Sequence, residues 1–325
     1  MIRWPFSETC KETTLKRQTL TIAALALLGT GHPAAAQQRQ PLAEHGHDQH
    51  PRGDQHGQRS DVHGDAQHRH GNTAPHAAWH HALHAAVHSA TRTAANVQRD
   101  RYRNPFETLS FFGVRPNMTV VEIWPGGGWF TEILAPYLRQ GGGTLYTVGM
   151  SEQQLRRVNE WRTAKPELYG QVRTATFPAF DAAATRVPNG TVDAVLTFRN
   201  VHNFIMGSGR DNQDYSAEAF RQMYAMLKPG GILGIEDHRL PESADKARER
   251  SSGYVKVSTV RRLAEAAGFR FVGASEVNAN PRDTADWAQG VWTLPPSLRL
   301  GDQDRAKYQA IGESDRMTLK FMKPR

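Results

Sequence analysis

The stretch VVEIWPGGGWFTEIL, residues 120–134, most narrows what this chain can fold into. An apolar run with strand character meets three consecutive glycines and continues as an amphipathic helix. Glycines at 126, 127 and 128 let backbone approach a ligand closely and expose amides at the start of the following helix. Glu122, at the end of the strand, lies among those backbone groups, where a carboxylate organises the loop or accepts from a hydroxylated or cationic ligand. Two common phosphate-binding patterns are excluded by spacing. A dinucleotide fingerprint needs G-x-G-x-x-G with an acid about 20 residues on, but here Phe130 and Thr131 follow with no third glycine in register. A P-loop needs Gly-Lys-Ser/Thr, which is absent.

The rest of the C-terminal two thirds repeats the alternation. Strand patterns fall at 119–124, 143–149, 171–177, 191–198 and in 227–237, separated by helix patterns such as SEQQLRRVNEWRTA and AEAFRQMYAML. A further helix, STVRRLAEAAG, leads to the strands FRFVGASEV and DRMTLKFMK. Alternation of this kind predicts an α/β fold with a parallel sheet covered by helices on both faces. The last strand follows the sixth without a crossover helix, so it is expected to insert antiparallel.

With those elements placed, VVEIWPGGGWFTEILAPYL resembles the first motif of the class I S-adenosylmethionine-dependent methyltransferases. VDAVLTFRNVHNF is similar to their fourth-strand motif and LKPGGILGIEDH to the turn into their fifth strand, in the same order. The similarity spans about residues 100–325, and its narrower likeness is to a family of predicted exported bacterial methyltransferases. It implies a Rossmann-like, seven-stranded, mostly parallel sheet, with S-adenosylmethionine as cofactor and a small molecule as methyl acceptor. In that family an acid ends strand one and the glycine loop wraps the methionine part and ribose, which points to Glu122, Trp124, Gly126, Gly127 and Gly128. Trp124 stands where the family carries its first loop glycine. Gly149 stands where the family carries an acid for the ribose hydroxyls, leaving Ser151 or Glu152 as the nearest polar substitutes. Asp181, after strand three, corresponds to an acid touching the adenine amino group; a helix cap explains it equally well.

Ligands of open α/β sheets bind outside the carboxyl ends of the strands. Arg199, Asn200, His202 and Asn203 leave strand four at that edge, and Asp237 and His238 leave strand five there. His202 and His238 are the only histidines beyond residue 88, and imidazole suits a base at neutral pH. The expected base is His238, oriented by Asp237, with His202 beside it. An insert at about 278–315, carrying Asn280 and Trp292, is expected to cover the substrate side, and Arg101 and Tyr102 to close the other.

The N-terminal third is different. Lys16 and Arg17, an apolar run and Ala34-Ala35-Ala36 have the order of a secretory signal over residues 1–36. The one cysteine, Cys10, falls inside it, so a mature chain has no thiol. Exported, periplasmic localisation is expected, with no membrane insertion after signal removal. Residues 37–75 are polar and histidine-rich, a composition that does not fold alone. Residues 76–98 are alanine-rich and read as a helical linker to a domain at 99–325. There His76, His80, His84 and His88 recur every fourth residue, a spacing that can chelate a divalent metal. The net charge of +8 over 325 residues, without a dense basic run, gives no sign of nucleic-acid binding. One alternative from another class is a non-catalytic periplasmic protein that binds a small ligand in the same cleft, its histidine tract handling metal.

Overall fold

The computed structural model describes residues 74–325; the signal and polar-segment readings lie outside them. Eight strands are present: β1 (Thr119–Ile123), β2 (Thr144–Gly149), β3 (Arg173–Thr176), β4 (Val192–Phe198), β5 (Leu227–Leu240), β6 (Val255–Lys256), β7 (Arg270–Ser275) and β8 (Arg316–Met322). Seven run in the order β3-β2-β1-β4-β5-β8-β7, while the two-residue β6 pairs with the far end of β5. The first five are parallel, and β8 enters antiparallel between β5 and β7, as its missing crossover predicts. The short β6 is the addition that the sequence pattern does not reveal.

The helices, in chain order, are α1 (Ala74–Val87), α2 (Ala94–Val97), α3 (Asp100–Arg103), α4 (Pro105–Phe112), α5 (Thr131–Gln140), α6 (Glu152–Ala164), α7 (Pro166–Tyr169), α8 (Val201–Met206), α9 (Ser216–Met226), α10 (Val257–Ala266) and α11 (Arg305–Ile311). Among the described residues, no helix is long and apolar enough to cross a membrane. Side chains alternate across β1 with period two, so its neighbours supply two separate cores. Val120 packs with Ile133, Leu134 and Leu138 of α5, whereas Val121 and Ile123 pack with Phe204, Phe220 and Val260 on the opposite face. Gly128 is needed for packing: at φ +80°, a Cβ there would lie 2.4 Å from the Trp161 ring of α6.

Residues 76–98 are built into the domain. Trp79, Ala82, Leu83, Ala86 and Val87 form an apolar stripe at helical spacing, and Leu83 is fully buried in the α5-side core. Beyond α1 the chain is clamped down by charge. Arg92 forks onto Asp100 at 2.6 and 2.9 Å and donates to the Val87 carbonyl at 2.6 Å. Glu132 of α5 accepts from the Thr93 amide at 3.1 Å, the Thr93 hydroxyl and the Asn96 amide group at 3.0 Å. The Trp129 indole donates to the Asn96 carbonyl at 2.8 Å. These bonds fix α2 and α3 over the glycine loop.

The segment between β7 and β8 has a core of its own, in which Leu294, Tyr308 and Ile311 pack together. Its hub is Asp283, which accepts from the Tyr254 hydroxyl at 3.0 Å, the Trp287 indole at 2.7 Å and the Asp315 amide at 2.8 Å.

Candidate active site

Strands β1 and β4 are neighbours, and the chain leaves them toward opposite sides of the sheet, which opens a crevice at their carboxyl ends. Trp124 (φ +47°) follows β1 and Arg199 (φ +62°) follows β4, both in the left-handed region that side chains avoid. Such residues gather at functional sites, where surrounding contacts hold them. The Asn200 side chain ties the two strand ends together by donating to the Ile123 carbonyl at 2.9 Å. A cavity of about 350 Å³ lies there, walled by the glycine loop, the ends of β4 and β5, the α2–α3 segment and the insert.

Asp237 and His238 lie within β5, which runs on to Leu240 beyond the end that the sequence pattern sets, and the fully buried Asp237 organises the catalytic side. Its Oδ1 accepts from Nδ1 of His202 at 2.7 Å and from the His238 amide at 2.7 Å, and its Oδ2 accepts from the His202 amide at 3.1 Å. The sequence pairs Asp237 with His238; in the structure the carboxylate orients the His202 ring and reaches His238 only at its backbone. Nδ1 of His202 therefore carries a hydrogen, and Nε2 has no protein partner among the described residues. The His238 ring lies 5.1 Å away, centroid to centroid, and its Nδ1 meets the Ser314 hydroxyl at 2.5 Å. Burial and the neighbouring His202 and arginines push the His238 pKa well down, so that ring stays neutral.

Glu122 faces the same cavity from the end of β1. It accepts from the Thr131 hydroxyl at 2.6 Å, and burial pushes its carboxyl up to about 7. Arg99 and Arg103, four residues apart on the N-terminal segment, line the wall together with Glu313 of the insert. Their Nε atoms donate to the two oxygens of Glu313 at 2.7 and 3.1 Å, and the surrounding arginines hold that carboxyl at about 2 despite its burial.

The structure brings Glu122, Trp124, Gly126, Gly127, Asn200, His202, Asn203, His238 and Trp292 to one cavity. Others from the sequence reading lie elsewhere. Asp181 caps the Ala183 amide at 2.8 Å, the capping role that its position allows. Ser151 is exposed at the start of α6. Asn280 holds the Ile311 and Glu313 carbonyls at 2.9 and 2.7 Å, so it shapes the insert. Tyr102 packs on Gly312, and Arg101 stacks over the Tyr102 ring at 4.7 Å. The side the sequence gives to Arg101 and Tyr102 is closed by Arg99 and Arg103. Of the histidine stripe, the rings of His84 and His88 stack at 4.0 Å and His80 packs near Phe106; none of the three lines the cavity. The His76 side chain lies outside the described residues. Arg103 and Glu313 carry no motif signal, though the spacing of Arg99 and Arg103 would have found them on one helix face.

Cofactor fit divides along the molecule. At the methionyl end, a Cβ on Gly126 or Gly127 would meet no atom within 4 Å, which leaves open backbone for close approach. Glu122 and Asn200 line the same cavity, polar partners suited to an amino acid group. The adenosyl end differs. The Trp124 indole crosses the end of β2, donates to the Phe177 carbonyl at 2.8 Å beyond β3, and packs edge-on against Phe204. Gly149 lies under the Gln154 side chain, whose carboxamide accepts from the Met150 amide at 2.6 Å. Among the described residues, none from the ends of β2 or β3 lines the cavity.

A parallel sheet in this order, closed by an antiparallel final strand, with an acid ending β1 and open glycines behind it, defines a Rossmann-like class I methyltransferase fold. Residues 121–235 match the family described as Methyltransferase domain. No curated protein matches the sequence. Among solved structures, it is similar to a SAM-dependent methyltransferase from Aquifex aeolicus at 16% identity and TM-score 0.46, over 70% of this chain and 93% of that one. It is similar also to CrArsM, an arsenic(III) S-adenosylmethionine methyltransferase from Chlamydomonas reinhardtii, at 16% identity and TM-score 0.44, over 75% and 73% of the two chains. The [4+2]-cyclase SpnF matches at 15% identity and TM-score 0.48, over 73% and 85%.

Proposed function

We propose that the protein methylates a small acceptor, with Nε2 of His202 taking the proton that the acceptor loses. The observation that carries this reading is the His202–Asp237 pair opening onto the same cavity as Gly126 and Gly127. S-adenosylmethionine, when bound, supplies an electrophilic methyl group on its sulfonium. Glu122, Gly126, Gly127 and Asn200 would hold its methionyl end. Asp237 fixes the His202 tautomer and stabilises the imidazolium formed as the proton arrives. Trp292 and the prolines Pro295 and Pro296 line the cavity from the insert. The chain's contribution is therefore mostly orientation, with one proton acceptor in place.

The test is release of S-adenosylhomocysteine by the full chain given radiolabelled S-adenosylmethionine and a small-molecule extract of its host. Replacing His202 with Ala is expected to slow label transfer by about 10²–10⁴-fold while cofactor affinity stays within about twofold. Equal rates in both proteins would remove His202 from the reaction.

We propose also that the protein is exported, a reading supported by Lys16, Arg17, the apolar run and Ala34-Ala35-Ala36. N-terminal sequencing of the protein recovered from a periplasmic fraction is expected to begin at Gln37. An intact Met1 there would contradict it.

A further inference from the structure

The wall formed by Arg99, Arg103 and Arg199 has more positive charge than its carboxylates neutralise. Of the charged side chains that line the cavity, three are guanidiniums and two are carboxylates, Glu122 and Glu313; behind them Arg316 faces Glu236, and Asp237 is bound up with His202. Glu122 is half protonated near pH 7, which widens the imbalance. From Arg99 and from Arg103, Glu313 takes only the Nε hydrogen. Arg316 gives Nη1 to Glu236 at 2.8 Å and to Glu313 at 3.5 Å, and Nη2 to the Tyr102 carbonyl. Arg199 has a single loose contact, 3.6 Å from Glu236. Nη2 of Arg99 and Nη1 of Arg199 are buried without a hydrogen-bond partner. A buried donor on a cation is costly to leave unpaired, and a guanidinium is shaped to bind a carboxylate or phosphate through two parallel bonds.

We infer that these three arginines form an oxyanion site inside the cavity, which takes a carboxylate or phosphate group of a bound ligand. Ser314, which touches His238, directly follows Glu313 in the chain, so the oxyanion would lie next to the histidine pair. The excess charge also argues against the one other ligand set there, the His202–Asp237–His238 group: a divalent cation would face the same arginines, and Asp237 already accepts three N–H bonds. The α-carboxylate of the cofactor shares this chemistry; the place beside the histidine pair assigns the site instead to an acidic methyl acceptor, an assignment that rests on the proposed methyl transfer.

Inorganic phosphate, S-adenosylhomocysteine and 5′-methylthioadenosine, which lacks the amino acid group, distinguish the cases. Each is titrated at constant ionic strength into the full chain, with tryptophan fluorescence as readout, because Arg103 stacks on Trp129 at 4.9 Å. The proteins compared are wild type, Arg99→Gln and Arg199→Gln. Arg199→Gln breaks only one long ion pair and serves if Arg99→Gln fails to fold. The inference is overturned if an arginine variant weakens S-adenosylhomocysteine by tenfold or more and leaves 5′-methylthioadenosine unchanged, which assigns the site to the cofactor carboxylate. It holds if S-adenosylhomocysteine is unaffected while phosphate binds alongside it and is lost in the variants, which assigns the site to an acidic acceptor. It is overturned if neither phosphate nor S-adenosylhomocysteine distinguishes wild type from a folded variant.

Discussion

Glu122 shows how one side chain couples the fold to the site. It is buried at the end of β1 with one hydroxyl donor, and its carboxyl is pushed from the ordinary 4.5 up to about 7. The folded chain thus binds this proton more tightly than the unfolded chain. Its contribution to the unfolding free energy falls as pH rises between those two values and is flat above them. Glu122→Gln keeps an acceptor for Thr131 and loses the titration, so the variant should gain on wild type across that window, by an amount on the order of 3 kcal/mol. Urea unfolding of both proteins at pH 5 and pH 8 measures it; an unchanged difference between the two pH values would mean that Glu122 does not titrate there. The sequence marks Glu122, His202 and His238 as site residues because residue type and strand position carry the signal. It does not yield the Asp237–His202 pairing. That depends on register: Phe198 pairs with Glu236, so the residues just past β4 fall beside Asp237.

At the scale of elements, strands and main helices are legible because alternation and helical period are local properties. The N-terminal segment is not, although its apolar stripe is present, because alanines and histidines dominate its composition. Leu83→Ala reports on its role: full burial against α5 predicts a loss of about 2–5 kcal/mol in urea unfolding. A loss near zero would return this helix to the status of a linker. For the same reason a fragment beginning at residue 99 discards Arg92, Thr93 and Asn96, which position Arg99 and Arg103 over the site. The insert is legible as a cover from its length between β7 and β8, whereas Glu313 and Ser314 enter the site only through long-range packing.

For the whole molecule, the sheet order places the cavity at the switch between β1 and β4, and one side chain sets how far it extends toward β2 and β3. If the Trp124 indole fills the adenosyl end, Trp124→Gly should tighten 5′-methylthioadenosine by about tenfold, or ~1.4 kcal/mol. Weaker binding in the variant would instead make the indole a platform for the base. The central claim, that the open glycines receive the cofactor, is tested most directly at Gly127. Its backbone is unstrained for a side chain, and a Cβ there meets nothing within 4 Å. Gly127→Val should therefore fold normally while projecting into the cavity. The measurement is calorimetric titration of S-adenosylhomocysteine into the full wild-type chain and into Gly127→Val, with melting temperatures alongside. The account predicts saturable binding by wild type and a loss of about tenfold or more in a variant of unchanged melting temperature. Equal affinity in the two proteins, or no binding by wild type at millimolar ligand, would contradict it.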